Sequence, residues 1–113
     1  MNERSEDKSA LLAGCDLVNL ATYQDRSIVS QVLLKKRAGT VTLFAFDQGQ
    51  GLSEHQAPFD ALVYLLDGSA DIVVGGSPHH LTAGELLLLP ANVTHEVKAP
   101  ERFKMLLIMI RSE

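Results

Sequence analysis

The sequence predicts an all-β fold, a single sandwich or barrel of short strands. Two observations carry this. Past the first 15 residues no stretch keeps a 3.6-residue apolar period over helical length. Instead, apolar and β-branched runs of strand length recur at close spacing, each bounded by Gly, Pro, Asn or Asp. A helical or doubly wound fold would need amphipathic segments of roughly ten or more residues, and the sequence offers none.

In chain order, residues 1–15 are expected to be a flexible N-terminal tail, with at most one helical turn at Ala10 to Gly14. The domain is expected to run from 16 to 113. Asp16 to Tyr23 would begin it as an edge segment. Ser27 to Lys36 holds Ile28, Val29, Val32, Leu33 and Leu34, a composition suited to a strand. Ala38-Gly39 turns the chain into Thr40 to Phe46, and Asp47 to Gly51 is a loop. Phe59 to Leu66 is the next strand, closed by Asp67-Gly68. Ala70 to Val74 leads into Gly75-Gly76, a two-residue hairpin signal. His79 to Thr82, Glu85 to Leu89, His95 to Ala99 and Phe103 to Ile110 complete the set.

Composition excludes several classes of function. The 113 residues suffice for one domain with its own core. A net charge of −4 gives no basic face for nucleic acid. No apolar run approaches the ~20 residues of a membrane helix. The polar start, with Glu3, Glu6 and Asp7, is unlike a signal peptide. The lone Cys15 cannot form an internal disulfide and fits a cytoplasmic setting, where it would be a small buried or half-buried side chain.

Two blocks hold the chemistry. One runs from Gly51 through His55, Ala57 and Ala61 to Gly68; the other reads Gly84, Pro90, Asn92, His95, Ala99. Both resemble the two motifs of the cupin superfamily. His55 stands at the first His of the first motif, with Gly49 at the spacing of its opening Gly. Ala57 stands at the second His and Ala61 at the Glu that precedes the closing Gly68. In the second motif Gly84, Pro90 and His95 match, while Asn92 replaces a Gly and Ala99 the final Asn. The resemblance implies a single-domain cupin-type jelly-roll β-barrel, a double-stranded β-helix.

The resemblance also implies that the strand set His55, Ala57, Phe59, Ala61 and Val63 faces the barrel interior, where His95 meets it. These six residues form the expected ligand pocket. Two of the family's four metal ligands are alanine here, so His55 and His95 are the metal ligands to be expected. Any divalent ion (Zn, Fe, Mn or Ni) would be held weakly, and only by neutral imidazoles. Asp60, Glu54 and Glu96 fall on the opposite parity and face away. His79 and His80 are adjacent and cannot share one pocket. Ser53 and Thr94 neighbour the histidines, but no Asp is placed for a nucleophilic triad.

Three readings follow: a small-molecule-binding barrel with or without a weakly held metal; a metal-dependent oxygenase or isomerase; and a non-catalytic oligomerising barrel. A homodimer is expected as well. Leu62, Tyr64 and Leu66, Leu86 to Leu89 and Met105 to Ile110 put apolar side chains on both strand faces, and the barrel buries only one.

Overall fold

The computed structural model describes the backbone of residues 2–4 and the whole of residues 8–111. Among these residues the strands are β1 (Asn2–Arg4), β2 (Ile28–Lys36), β3 (Gly39–Phe46), β4 (Gly51–His55), β5 (Phe59–Val74), β6 (Ser77–Thr82), β7 (Leu86–Leu89), β8 (His95–Lys98) and β9 (Phe103–Arg111). Helix is confined to α1 (Ser9–Ala13) and a 3-10 turn at Leu17–Asn19. The expected tail over 1–15 falls partly on residues outside the described set.

The strands form one curled sheet, antiparallel except where β1 runs parallel to β2. One half has the order β1-β2-β3-β9-β5-β7 and the other β6-β5-β8-β4. Strand β5 belongs to both halves and joins them into the all-β jelly-roll barrel.

That strand departs from expectation, and the reason is local. Asp67-Gly68 does not end a strand but bends one. The β5–β9 register shifts between Leu65 and Asp67, which inserts a bulge. A bulge reverses the parity of the pleat. Ala61, Val63 and Leu65 point inward before it, and Ala70 and Ile72 after it. Leu66, at the switch, is turned to the outer face. Two further corrections concern the N-terminal half. Asp16 to Tyr23 contains the 3-10 turn and no strand, and Gly51–His55 is a strand where only a loop was expected up to Gly51.

The inner core gathers Phe44, Phe46, Leu65, Ile72, Phe103 and Met105, with the rings of Phe46 and Phe103 stacked at 4.4 Å. A second, smaller cluster lies outside the barrel. There Val29, Leu33, Leu43 and Ala45 are covered by Leu11, Leu17, Leu20, Ala21 and Tyr23. The N-terminal segment is thus a lid on the outer face, and polar contacts pin it. Tyr23 donates to Asp67 at 2.6 Å, and Lys104 Nζ donates to the Val18 carbonyl at 2.6 Å. Arg102 reaches both Asp47 (2.8 Å) and Asp25 (3.0 Å). Burial, reinforced by the bond to Asp67, pushes the Tyr23 hydroxyl above the ordinary phenol range, so it stays a donor. Cys15, expected to be buried or half-buried, is exposed.

Candidate functional site

Both histidines sit at strand ends on the same side of the barrel. In β4 the pairing with β8 slips between Leu52 and His55, so that His55 comes directly opposite His95. His95 in turn lies opposite Val74 at the end of β5. The two imidazole rings meet edge to face with centroids 4.1 Å apart. His55 Nδ1 lies 2.8 Å from the Ser53 carbonyl. A carbonyl can only accept, so the neutral ring carries its proton on Nδ1 and presents Nε2 as a lone pair.

His95 is held differently. Its Nδ1 is buried with no hydrogen-bond partner among the described residues. Burial, and then the neighbouring His55, lower its pKa from the usual imidazole value, with the Val93 backbone acting the other way. The folded chain therefore prefers neutral His95 while the unfolded chain titrates near ~6.5. The stability this confers is fully present above ~6.5 and is lost as pH falls from there towards the lowered folded value. Urea midpoints measured from pH 8 to pH 5 are expected to fall with acid, and less steeply for His95→Gln; equal slopes would contradict this.

The rings border a cavity of about 80 Å³ inside the barrel. Its wall includes His55, Ala57, Phe59, Ala61, Val63 and His95, the six residues read from the sequence. It also includes Phe44, Leu89, Met105, Leu107 and Met109, which that reading missed. The β9 members share one parity, but only the β5–β9 pairing shows that this parity faces the cavity; it places Met109 opposite Ala61. A larger, open groove of about 450 Å³ lies along Gly49 to Ser53 and Glu96 to Pro100. It contains neither histidine, so the enclosed cavity is the candidate site.

Several acidic residues near the site are occupied elsewhere. Asp60 accepts from the Ala91 amide at 2.8 Å. Glu85 accepts from the Thr82 amide and hydroxyl. Glu96 lies 3.9 Å from Lys98. His80 pairs with Asp71 at 2.6 Å on the surface, away from the cavity. Asn92, at the motif's glycine position, adopts φ +64° and donates its amide to the Ala57 carbonyl at 2.8 Å. Asn tolerates this left-handed conformation better than most residues, which explains how it stands in for Gly. No group of three or more His, Cys, Asp or Glu is clustered for a metal among the described residues. The arrangement can bind and orient a small molecule or hold a two-coordinate ion. It lacks the carboxylate and third imidazole that a hard divalent ion requires.

A jelly-roll barrel with a histidine pair in its cavity defines the class, and comparison with known proteins agrees. Residues 42–111 match the family described as cupin domain, and the chain belongs to that family. Among solved structures it is similar to a conserved Streptococcus pyogenes protein of unknown function (29% identity, 88% of each chain, TM-score 0.85). A cupin superfamily protein from Desulfitobacterium hafniense is 28% identical over 85% of this chain and 88% of that one, with a TM-score of 0.82. A cupin 2 conserved barrel domain protein from Leptotrichia buccalis is 41% identical over 83% of this chain, with a TM-score of 0.80, and this chain spans 46% of its length. No curated protein matches the sequence.

Proposed function

We propose that the protein is a small-molecule-binding cupin whose ligand enters the barrel cavity and hydrogen-bonds to the histidine pair. The observation that carries the reading is the meeting of His55 and His95, rings 4.1 Å apart, at the wall of an otherwise apolar cavity. The free Nε2 of His55 accepts, so a fitting ligand is small, mostly apolar and equipped with one O–H or N–H donor. A divalent ion (Zn, Fe, Mn or Ni) held by His55 and His95 alone is a weaker occupant, because two imidazoles leave most of its coordination to water. Among the described residues no third His, Cys, Asp or Glu joins the pair, so the oxygenase or isomerase reading has less support.

Phenol is a suitable probe, since its ring matches the apolar wall and its hydroxyl is a donor. Calorimetric titration is expected to show binding that His55→Ala weakens by about fivefold, the worth of a ~1 kcal/mol hydrogen bond. Undiminished binding by both His55→Ala and His95→Ala would refute the role given to the pair.

The assembly proposed is a homodimer, within the cytoplasm. The outer sheet face supports it. Leu88, Leu62, Ile108, Val41 and Leu34 lie side by side in register across five strands. The N-terminal lid covers only part of this face. Leu86 (57% exposed), Leu88 (53%) and Ile110 (56%) stay in contact with solvent. Of β2, Ile28, Val29 and Leu33 are buried within the subunit and Leu34 is left for the interface. A second copy related by a twofold axis would present the same apolar rows to themselves. Sedimentation equilibrium is expected to give twice the 12.3 kDa chain mass, and Leu88→Asp with Ile110→Asp to give monomer. A monomeric parent at micromolar concentration would rule the dimer out.

A further inference from the structure

We propose that Arg111 is a specificity-determining residue of the barrel cavity and selects small apolar carboxylic acids. The body of such a ligand enters the cavity while its carboxylate stays at the rim, on the guanidinium. The inference rests on the small-molecule reading of the cavity and deepens it by naming the charge of the ligand.

The place of Arg111 follows from the β5–β9 ladder. Met105, Leu107 and Met109 line the cavity at every second position of β9, and Arg111 continues that alternation at the end of the strand. It lies directly opposite Phe59, itself a wall residue. Its guanidinium carbon stands 5.3 Å from the centroid of the Phe59 ring, within reach of a cation–π contact. Burial falls from Met105 to Arg111 along β9 and from Leu65 to Phe59 along β5, so the cavity opens at this end. A second cation shares the face. The bulge between Val32 and Leu34 in β2 puts Lys35 in one row with Thr40, Met109 and Ala61.

Three physical arguments select a carboxylate. The first is that both cations lack an anion. Among the described residues the ion pairs are those of His80, Lys98 and Arg102, and none includes Arg111 or Lys35. Asp60, next to Phe59 in the chain, is taken by the Ala91 amide. The second is geometry. Contact with the Phe59 ring restrains a long side chain whose planar fork matches a carboxylate through two parallel hydrogen bonds. The third is where the charge can sit. No charged side chain lines the cavity, so a carboxylate inside it would be desolvated and unpaired. At the rim it keeps part of its hydration and meets Arg111. The chain's net charge of −4 offers an anion no general attraction, so its recognition must be local.

The test is calorimetric titration with benzoate and with benzamide, its neutral counterpart of nearly the same shape. Phenol is the third probe: it reports on the histidine end, as benzoate does on the arginine end. The parent is expected to bind benzoate about tenfold more tightly than benzamide, the scale of a charge-assisted hydrogen bond. Arg111→Gln should abolish that preference and leave phenol binding unchanged, which also shows that the variant is folded. Arg111→Lys, which keeps the charge and loses the fork, should retain only part of the preference. Added salt should weaken benzoate and not benzamide. A parent that binds benzoate no better than benzamide, or an equal preference in Arg111→Gln and parent, would overturn the proposal. If phenol still binds and His55→Ala weakens it, such a failure speaks against Arg111 alone. If none of the three probes binds the parent, the small-molecule reading falls and this inference with it.

Discussion

Introducing His at Ala57 and Glu at Ala61 together is expected to convert the cavity into a tight divalent-metal site. Both alanines line the cavity with His55 and His95. The double substitution would raise the protein ligands from two to four, three imidazoles and a carboxylate. Complete four-ligand zinc sites bind with about 10–16 kcal/mol, whereas two imidazoles leave half of that coordination to water. A gain of at least about a thousandfold in zinc affinity, or about 4 kcal/mol, is the expected result by calorimetry. A second effect should accompany it. Ala61 is buried, so without metal the new carboxylate is desolvated and unpaired, and the metal-free variant should melt below the parent. Zinc should then raise its melting temperature far more than it raises the parent's. A variant that binds zinc no better than the parent would mean that positions 57 and 61 do not converge on the two histidines.

Gly68→Ala is expected to be among the most damaging single substitutions in the chain. Gly68 sits just past the bulge of β5, opposite Phe103, with φ +75°, a conformation that costs a residue with a Cβ about 1–2 kcal/mol. The added carbon would also lie far inside contact distance of the Arg102 carbonyl oxygen and 3.0 Å from Phe103 Cα. Those neighbours are backbone atoms of the adjoining segment, and no side-chain rotation relieves the overlap. Strain and overlap together are expected to destabilise the fold by roughly 3 kcal/mol or more. At about 4 °C or more per kcal/mol that is a drop of over ~10 °C in melting temperature. Gly76→Ala is the control. It has φ +84° but nothing within 4 Å of the added carbon, so it carries the conformational penalty alone. Similar losses for the two variants would show that the close approach at Arg102 does not matter.

These two positions also mark where local reading ends. The first motif counts back from Gly68 to Ala61, so the glycine was visible as a landmark. Read locally, however, Asp67-Gly68 is a turn, because a Gly after an Asp usually is one. The bulge exists only because β5 is paired with β9 on one side of it and with β6 and β8 on the other. A similar limit applies to Asp60. Alternation turns it away from the cavity, but the Ala91 amide that occupies its carboxylate is 31 residues distant in sequence and is reached only through the fold.

What the sequence alone determined is therefore an all-β chain and most of its strands, which follow from two-residue periodicity and from Gly and Pro punctuation, properties of a few adjacent residues. The barrel and the inward set of His55, Ala57, Phe59, Ala61, Val63 and His95 came from the resemblance of the two motifs to those of the cupin family. The tertiary structure decided the rest. It made one strand of two, folded the N-terminal segment over Leu43 and Ala45, aligned Leu88, Leu62, Ile108, Val41 and Leu34 in one row, and set Met109 beside Ala61. The reason is that strand order and register are non-local. Periodicity tells which residues of a strand share a face, but the neighbour across the ladder depends on which strands pair and on where a bulge shifts the count.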